Sequence, residues 1–251
     1  MISVALTIII VLFIYFITNK STEHFITNMT IYCINLDKSK DRMRKINKNF
    51  KNLNLSVTRF EAIDGNNVIV DTNKVKLDYD TNLNSLCDKN IKPGINLKLS
   101  KGEIGCIYSH YGLWEKMLDK NIEKCIIVED DIKPNKNFNT YKKYLSKVPT
   151  DWDIIYISFL NTGKKKYVSK NIYIPTCGFS TSGYIINLKC VKKIMKKLPI
   201  NRPIDLFLLE LFKNKIINAY VIEGLCDASS TWGGNDSQIE HSTKNIKKYK
   251  I

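Results

Sequence analysis

Short apolar, β-branched runs alternate with stretches of helical period from about residue 30 to residue 222, the pattern of a chain that passes in turn through strands and helices. Thr30-Ile31-Tyr32-Cys33-Ile34-Asn35-Leu36 reads as a first core strand. A helix over 39–50 follows, with Met43, Ile46 and Phe50 on one face. Residues 56–63 give a second strand, closed by the turn pair Asp64-Gly65. Residues 66–98 are polar and weakly periodic, which suits a long loop or a small insertion. Ser100-Lys101-Gly102-Glu103 matches a capping box, so a helix should start there, with Ile104, Ile107, Tyr108, Tyr111, Trp114 and Met117 or Leu118 as its apolar face. Gly102, Gly105 and Gly112 weaken such a helix, and close packing or the approach of a ligand would explain them. Further strands are expected over 124–131, 151–158, 184–187 and 219–222, and further helices over 137–145, 189–198 and from Arg202-Pro203 onward. The sum is an α/β fold, and ligands of open parallel sheets bind at the carboxyl ends of the strands.

The first 17 residues break the alternation. They are almost wholly apolar, end at Thr18-Asn19-Lys20 and lack a small-x-small cleavage site, so 1–18 reads as an uncleaved single-pass membrane anchor. Charges on its two sides are too few to set its orientation. Residues 19–27 form a polar stem and 28–251 one globular domain.

With 44% hydrophobic residues, the 251-residue chain has enough apolar side chains for a full core. Its formal net charge of +15 favours anionic partners such as nucleotide-sugars or acidic membranes. The lysines are spread along the whole chain, and no homeodomain, zinc-finger, RRM or KH signature accompanies them, so nucleic acid is not an expected partner. Seven widely spaced cysteines, with no CxxC pair, read mainly as small buried hydrophobes and leave room for one disulfide. Sequons at Asn28, Asn54 and Asn235 would matter only inside a secretory lumen.

The chemistry concentrates in Cys125-Ile126-Ile127-Val128-Glu129-Asp130-Asp131, an apolar run that ends in three carboxylates. If the strand continued through them, Glu129 and Asp131 would share a face about 6.5 Å apart, able to hold a divalent cation, with Asp130 opposite. The plainer alternative is an acidic turn closing a core strand. His110, inside a helix, reads as a hydrogen-bonded core group or a catalyst. Asp205, near the start of a helix, reads as a cap or a general base.

Several blocks then occur in one order: Ile34-Asn35-Leu36-Asp37 with Asp41-Arg42, Phe60 to Gly65, Leu99 to His110 with Trp114, Val128 to Asp131, Trp152-Asp153, Thr181 to Tyr184, and Pro203-Ile204-Asp205. Together they resemble glycosyltransferase family 25, which holds bacterial lipooligosaccharide galactosyltransferases and the collagen galactosyltransferases. The resemblance implies a GT-A fold: a Rossmann-like, nucleotide-binding mixed sheet flanked by helices. It implies inverting transfer of a hexose, galactose or glucose, from a UDP-sugar to a hydroxyl of a glycan or protein, with Mn²⁺ or Mg²⁺. On this reading Asp131 is the principal metal ligand and Glu129 shares the metal or bonds the ribose, with Asp130 beside them. Asn35, Arg42 and Asp64 are candidates for the nucleotide. Glu103, His110 and Asp205 are candidates for the sugar or acceptor, Asp205 being the preferred base. Two departures from the family pattern are Tyr108 before Ser109-His110 and the loosely matching segment 229–237, with His241 beyond it as a further metal-ligand candidate. A transferase-like domain that binds glycan or protein without catalysis is the alternative. A metal-dependent phosphoryl-transfer or receiver-like domain would need a phosphate-cradling glycine loop or a phosphorylatable Asp with a partner Lys, and neither is present.

Overall fold

The computed structural model describes residues 29–227. The anchor, the stem, segment 229–237, His241 and the basic tail lie outside the described residues. Among the described residues no helix is long and apolar enough to cross a membrane.

From Ile31 the elements run β1 (Ile31–Asn35), α1 (Lys40–Lys51), β2 (Thr58–Glu61), β3 (Asp78–Asp80), α2 (Asn82–Cys87), β4 (Asn96–Lys98), α3 (Lys101–Asp119) and β5 (Lys124–Glu129). They continue as α4 (Tyr141–Leu145), β6 (Ile154–Asn161), β7 (Lys166–Ser169), β8 (Ile172–Ile174), β9 (Gly178–Asn187), α5 (Leu188–Met195), α6 (Ile204–Lys213) and β10 (Ala219–Ile222). Among the described residues eight strands form one sheet in the order β2-β1-β5-β9-β6-β10-β8-β7, and β3 pairs with β4 apart from it. β1 runs parallel to both β2 and β5, while β9 lies antiparallel between β5 and β6. The result is the mixed α/β sheet expected from the sequence.

Sequence explains most of these elements locally. β1 and the first five residues of β6 are buried throughout, as continuous apolar runs in the middle of a sheet should be. α3 opens with the expected capping box: Ser100 Oγ accepts from Glu103 N–H at 3.1 Å, and Glu103 Oε2 accepts from Ser100 N–H at 2.8 Å. Its apolar stripe, Ile107, Trp114 and Met117, is fully buried in the main core with Val191 and Ile194 of α5 and Leu208 of α6. Each such side chain contributes roughly 1.5–3 kcal/mol by leaving water. Gly105 is required by packing. A Cβ there would lie 2.6 Å from the Ile63 carbonyl oxygen and 2.7 Å from the Gly65 nitrogen, both backbone atoms.

Three expectations change and a fourth narrows. The strand expected over 124–131 ends at Glu129, and Asp130 and Asp131 sit in a turn, where the Ile132 N–H bonds the Glu129 carbonyl at 3.2 Å. Strict two-residue alternation therefore does not govern the three acids. The strand expected over 184–187 begins at Gly178, because β6 pairs along Gly178 to Gly183, joined by β5 only at Gly183, and holds a segment whose own propensity is weak. Of the long loop or small insertion expected over 66–98, the structure has the insertion: it contains the β3–β4 pair and α2, and a Cys87–Cys177 disulfide ties it to the residue just before β9. The stretch over 137–145 forms a 3-10 turn, Phe138–Thr140, followed by the short α4.

From β1 the chain reaches β2 on one side and β5 on the other, so the strand order reverses at β1. Both neighbours are parallel to it, and their carboxyl ends open a crevice at this switch point.

Candidate active site

A cavity of ≈ 720 Å³ fills that crevice. Of the nine residues singled out from the sequence, eight line it: Arg42, Asp64, Glu103, His110, Glu129, Asp130, Asp131 and Asp205. Asn35 does not. It is 2% exposed and braces the site from behind, donating from Nδ2 to Asp130 Oδ2 at 2.7 Å and to the Ser39 carbonyl at 3.0 Å. Its Oδ1 accepts from Arg59 Nε at 3.0 Å.

The three acids have separate surroundings. Asp130 is fully engaged, since its other oxygen accepts from Arg42 Nη1 at 2.8 Å. Glu129 Oε1 accepts from Thr181 Oγ1 at 2.7 Å and contacts His110 Nε2 at 3.2 Å. Asp131 is the exception. Its Oδ1 is buried with no hydrogen-bond partner among the described residues. Burial first, then the charges of Glu129 and Asp130, push its carboxyl up to about 7, against an opposing effect of Arg42.

His110 is fully buried, and its Nδ1 lies 2.8 Å from Tyr184 Oη, which also accepts from Trp114 Nε1 at 3.2 Å. Because indole only donates, one assignment satisfies every group. The Tyr184 hydroxyl donates to His110 Nδ1, and His110 Nε2–H donates to Glu129. A chain of hydrogen bonds thus runs from α3 through β9 to the end of β5.

On the far wall, Asp205 accepts from Leu206 N–H at 2.8 Å and from Ser180 N–H at 3.2 Å. Ser180 holds φ at 95°, a left-handed value costly for a residue with a side chain, beside irregular β6–β9 pairing. Near the mouth, Asp64 accepts from Lys38 Nζ at 2.6 Å and from both Asn66 nitrogens. The Lys38 hydrogen bond is the main reason its carboxyl stays below the usual range. Ser109 Oγ ties the Asp64 loop to α3, accepting from Ile63 N–H at 2.8 Å and donating to the Gly105 carbonyl at 2.7 Å. Cys106, also on the wall, has a thiol pushed well up by burial and then by the surrounding carboxylates.

Thr181, Tyr184, Ser180 and Cys106 were not singled out as site residues by sequence reasoning. The Thr181 to Tyr184 block was visible as a motif, but only the strand pairing of β9 reveals what its side chains face.

Six carboxylates line the cavity against the cations Lys38, Arg42 and Lys101. A phosphate-bearing ligand needs a cation to enter so negative a space. The unpartnered Asp131 Oδ1 fits a divalent ion with oxygen ligands, because a cation there would supply the partner it lacks and favour its ionised form. Mn²⁺ and Mg²⁺ both suit that donor.

Fold and cleft together define the class: an α/β protein with a ligand site at the sheet's switch point and a carboxylate set suited to a divalent cation. Residues 28–208 match the family model described as glycosyltransferase family 25 (LPS biosynthesis protein), and the chain belongs to that family. It is similar to a glycosyltransferase 25 family member of Anopheles gambiae, 32% identical over 73% of this chain and 32% of the relative. Human procollagen galactosyltransferase 2 is 28% identical over 76% of this chain and 31% of its own length. A probable inactive glycosyltransferase 25 family member 3 of Bos taurus is 27% identical over 72% of this chain and 31% of its own. The chain thus spans about a third of the length of the curated relatives it matches.

Proposed function

We propose that this chain is a metal-dependent, inverting glycosyltransferase that moves a hexose, galactose or glucose, from a UDP-sugar to a hydroxyl of a glycan or protein. The observation that carries the reading is the buried, unpartnered Asp131 oxygen at the switch point of a family 25 fold. Asp131, with Glu129 beside it, would hold Mn²⁺ or Mg²⁺. When bound, the ion supplies Lewis-acid stabilisation for the charge that develops on the departing diphosphate.

The chain's own residues do the rest. Asn35 and Arg42 fix Asp130 and so hold the turn that presents Asp131. Tyr184, His110 and Thr181 orient Glu129. Lys38 and Lys101 face the phosphates from the mouth. Asp205, positioned by two backbone N–H groups, takes the proton of the acceptor hydroxyl. The acceptor oxygen then bonds the anomeric carbon as the bond from that carbon to the diphosphate breaks, and UDP leaves as the anion. A single displacement of this kind inverts the anomeric centre. Glu103, held by one oxygen in the capping box of α3, stands on the cavity wall as a contact for the sugar or acceptor.

The apolar N-terminal segment would anchor the domain to a membrane. A disulfide between Cys87 and Cys177 suits an oxidising compartment, which favours the luminal or external side.

Similarity to the bovine relative named a probable inactive family member supports a second reading, in which the fold binds glycan or protein without transfer. Turnover separates the two. The transferase reading expects the protein to release UDP from a UDP-hexose in the presence of Mn²⁺ and an acceptor, and Asp131→Ala to lose this while remaining folded. Folded protein that releases UDP from no common nucleotide-sugar would overturn it.

A further inference from the structure

We propose that Cys106, His110 and Glu129 form a second cation site, for a thiophilic divalent ion such as Zn²⁺, beside the oxygen-ligand position at Asp131 and sharing the Glu129 carboxylate with it. Cys106 and His110 lie one turn apart on the same face of α3, and Glu129 is the last residue of β5. Their sulfur, nitrogen and oxygen atoms all lie within 4.8 Å of one another. A tetrahedral zinc ion needs ligand atoms roughly 3.5 Å apart, so modest side-chain movement closes the site.

Two of the three ligands are already oriented by their neighbours. Tyr184 Oη, 2.8 Å from Nδ1, fixes the His110 ring with Nε2 toward the site, the kind of outer contact that metal-bound histidines use. Thr181 Oγ1 holds Glu129. Asp131, Asp205 and Glu103 add their negative field around Cys106. All three ligands line the cavity, so a fourth position stays open to water or substrate. A sulfur, nitrogen and oxygen set suits Zn²⁺, whereas Mn²⁺ and Mg²⁺ favour the all-oxygen donors at Asp131. On binding, the Cys106 thiol releases its proton to solvent. His110 moves its ring proton to Nδ1, the Tyr184 hydroxyl turns from donor to acceptor of that N–H, and Nε2 gives its lone pair to the metal.

The site goes beyond the transfer reaction, and its test uses no turnover. One equivalent of Co²⁺ added to the full chain should give a near-ultraviolet sulfur-to-cobalt charge-transfer band that Zn²⁺ bleaches. The band should vanish in Cys106→Ser and persist in Asp131→Asn. Absence of the band in the unaltered protein, or its survival in Cys106→Ser, would overturn the proposal. Zinc-edge X-ray absorption on the unaltered protein checks the same point without a variant that must fold. One sulfur at about 2.3 Å with nitrogen and oxygen neighbours is expected, and an all-oxygen shell would contradict it.

Discussion

Asp131→Asn should make the metal-free protein more stable at neutral and alkaline pH, although it removes the proposed metal ligand. The native carboxyl is pushed up to about 7 from its ordinary 3.8. That difference, converted at about 1.4 kcal/mol per tenfold change in proton affinity, sets a ceiling of roughly 4 kcal/mol on the cost of ionising Asp131 in the folded state. Arg42 already offsets part of the field, and the cleft admits some water, so about 2–4 kcal/mol is the expected gain. The sign follows from proton counting. Between the unfolded and folded values the native state holds the proton more tightly, so stability falls as pH rises from about 4 through about 7 and stays low above that. Asparagine carries no such charge. Urea unfolding should therefore find Asp131→Asn more stable by about 2–4 kcal/mol near pH 8, with the gap closing to about 1 kcal/mol or less near pH 4.5. Saturating Mn²⁺ should close most or all of that gap by stabilising only the unaltered protein, by about 2.7 kcal/mol at a hundred times its dissociation constant. A variant no more stable near pH 8, or a gap that does not narrow on acidification, would refute the reasoning.

Three further outcomes follow from the packing. Tyr184→Phe strips a hydrogen-bond partner from two buried groups, His110 Nδ1 and Trp114 Nε1, and should cost about 2–4 kcal/mol in denaturant unfolding; Tyr141→Phe, whose ring packs on Phe138 outside that chain, should cost under about 1 kcal/mol. Cys87→Ser opens a link spanning 90 residues and should lower stability by about 2–5 kcal/mol, matched by adding reductant to the unaltered protein and read as a falling melting temperature. Gly105→Ala forces a methyl group against the backbone of Ile63 and Gly65, so it should destabilise by about 1–3 kcal/mol and weaken UDP binding by displacing the Asp64 turn, measured by calorimetry.

How much of this was legible in the sequence depended on where each signal lay. The capping box at Ser100, the apolar stripe of α3 and the buried runs of β1 and β5 are local patterns, and they appear as expected. The glycines of α3 hinted at close approach, and Gly105 makes one. β9 was half hidden, because Gly178 to Gly183 lacks β-branched residues apart from Thr181 and becomes a strand only through its neighbours. Eight of the nine singled-out residues meet in one cavity because β2 and β5 end beside β1 and helices α1, α3 and α6 bring Arg42, Glu103, His110 and Asp205 to the same crevice. Asn35 differs: it ends a strand like the others, but its long-range bonds to Asp130 and Arg59 hold it behind the cavity wall. The three acids show the same limit. Sequence located them, but a turn after Glu129 decides that Asp131 carries the unpartnered oxygen while Asp130 is fully bonded.

The most direct test of the central claim is calorimetric titration of the protein with UDP, with and without Mn²⁺, repeated on Asp131→Asn. Cation-assisted diphosphate binding at Asp131 requires UDP affinity to rise at least about tenfold with Mn²⁺, a gain of roughly 1.4 kcal/mol, and requires that gain to disappear in the variant. Equal UDP affinity with and without the metal, or an undiminished gain in Asp131→Asn, would contradict it.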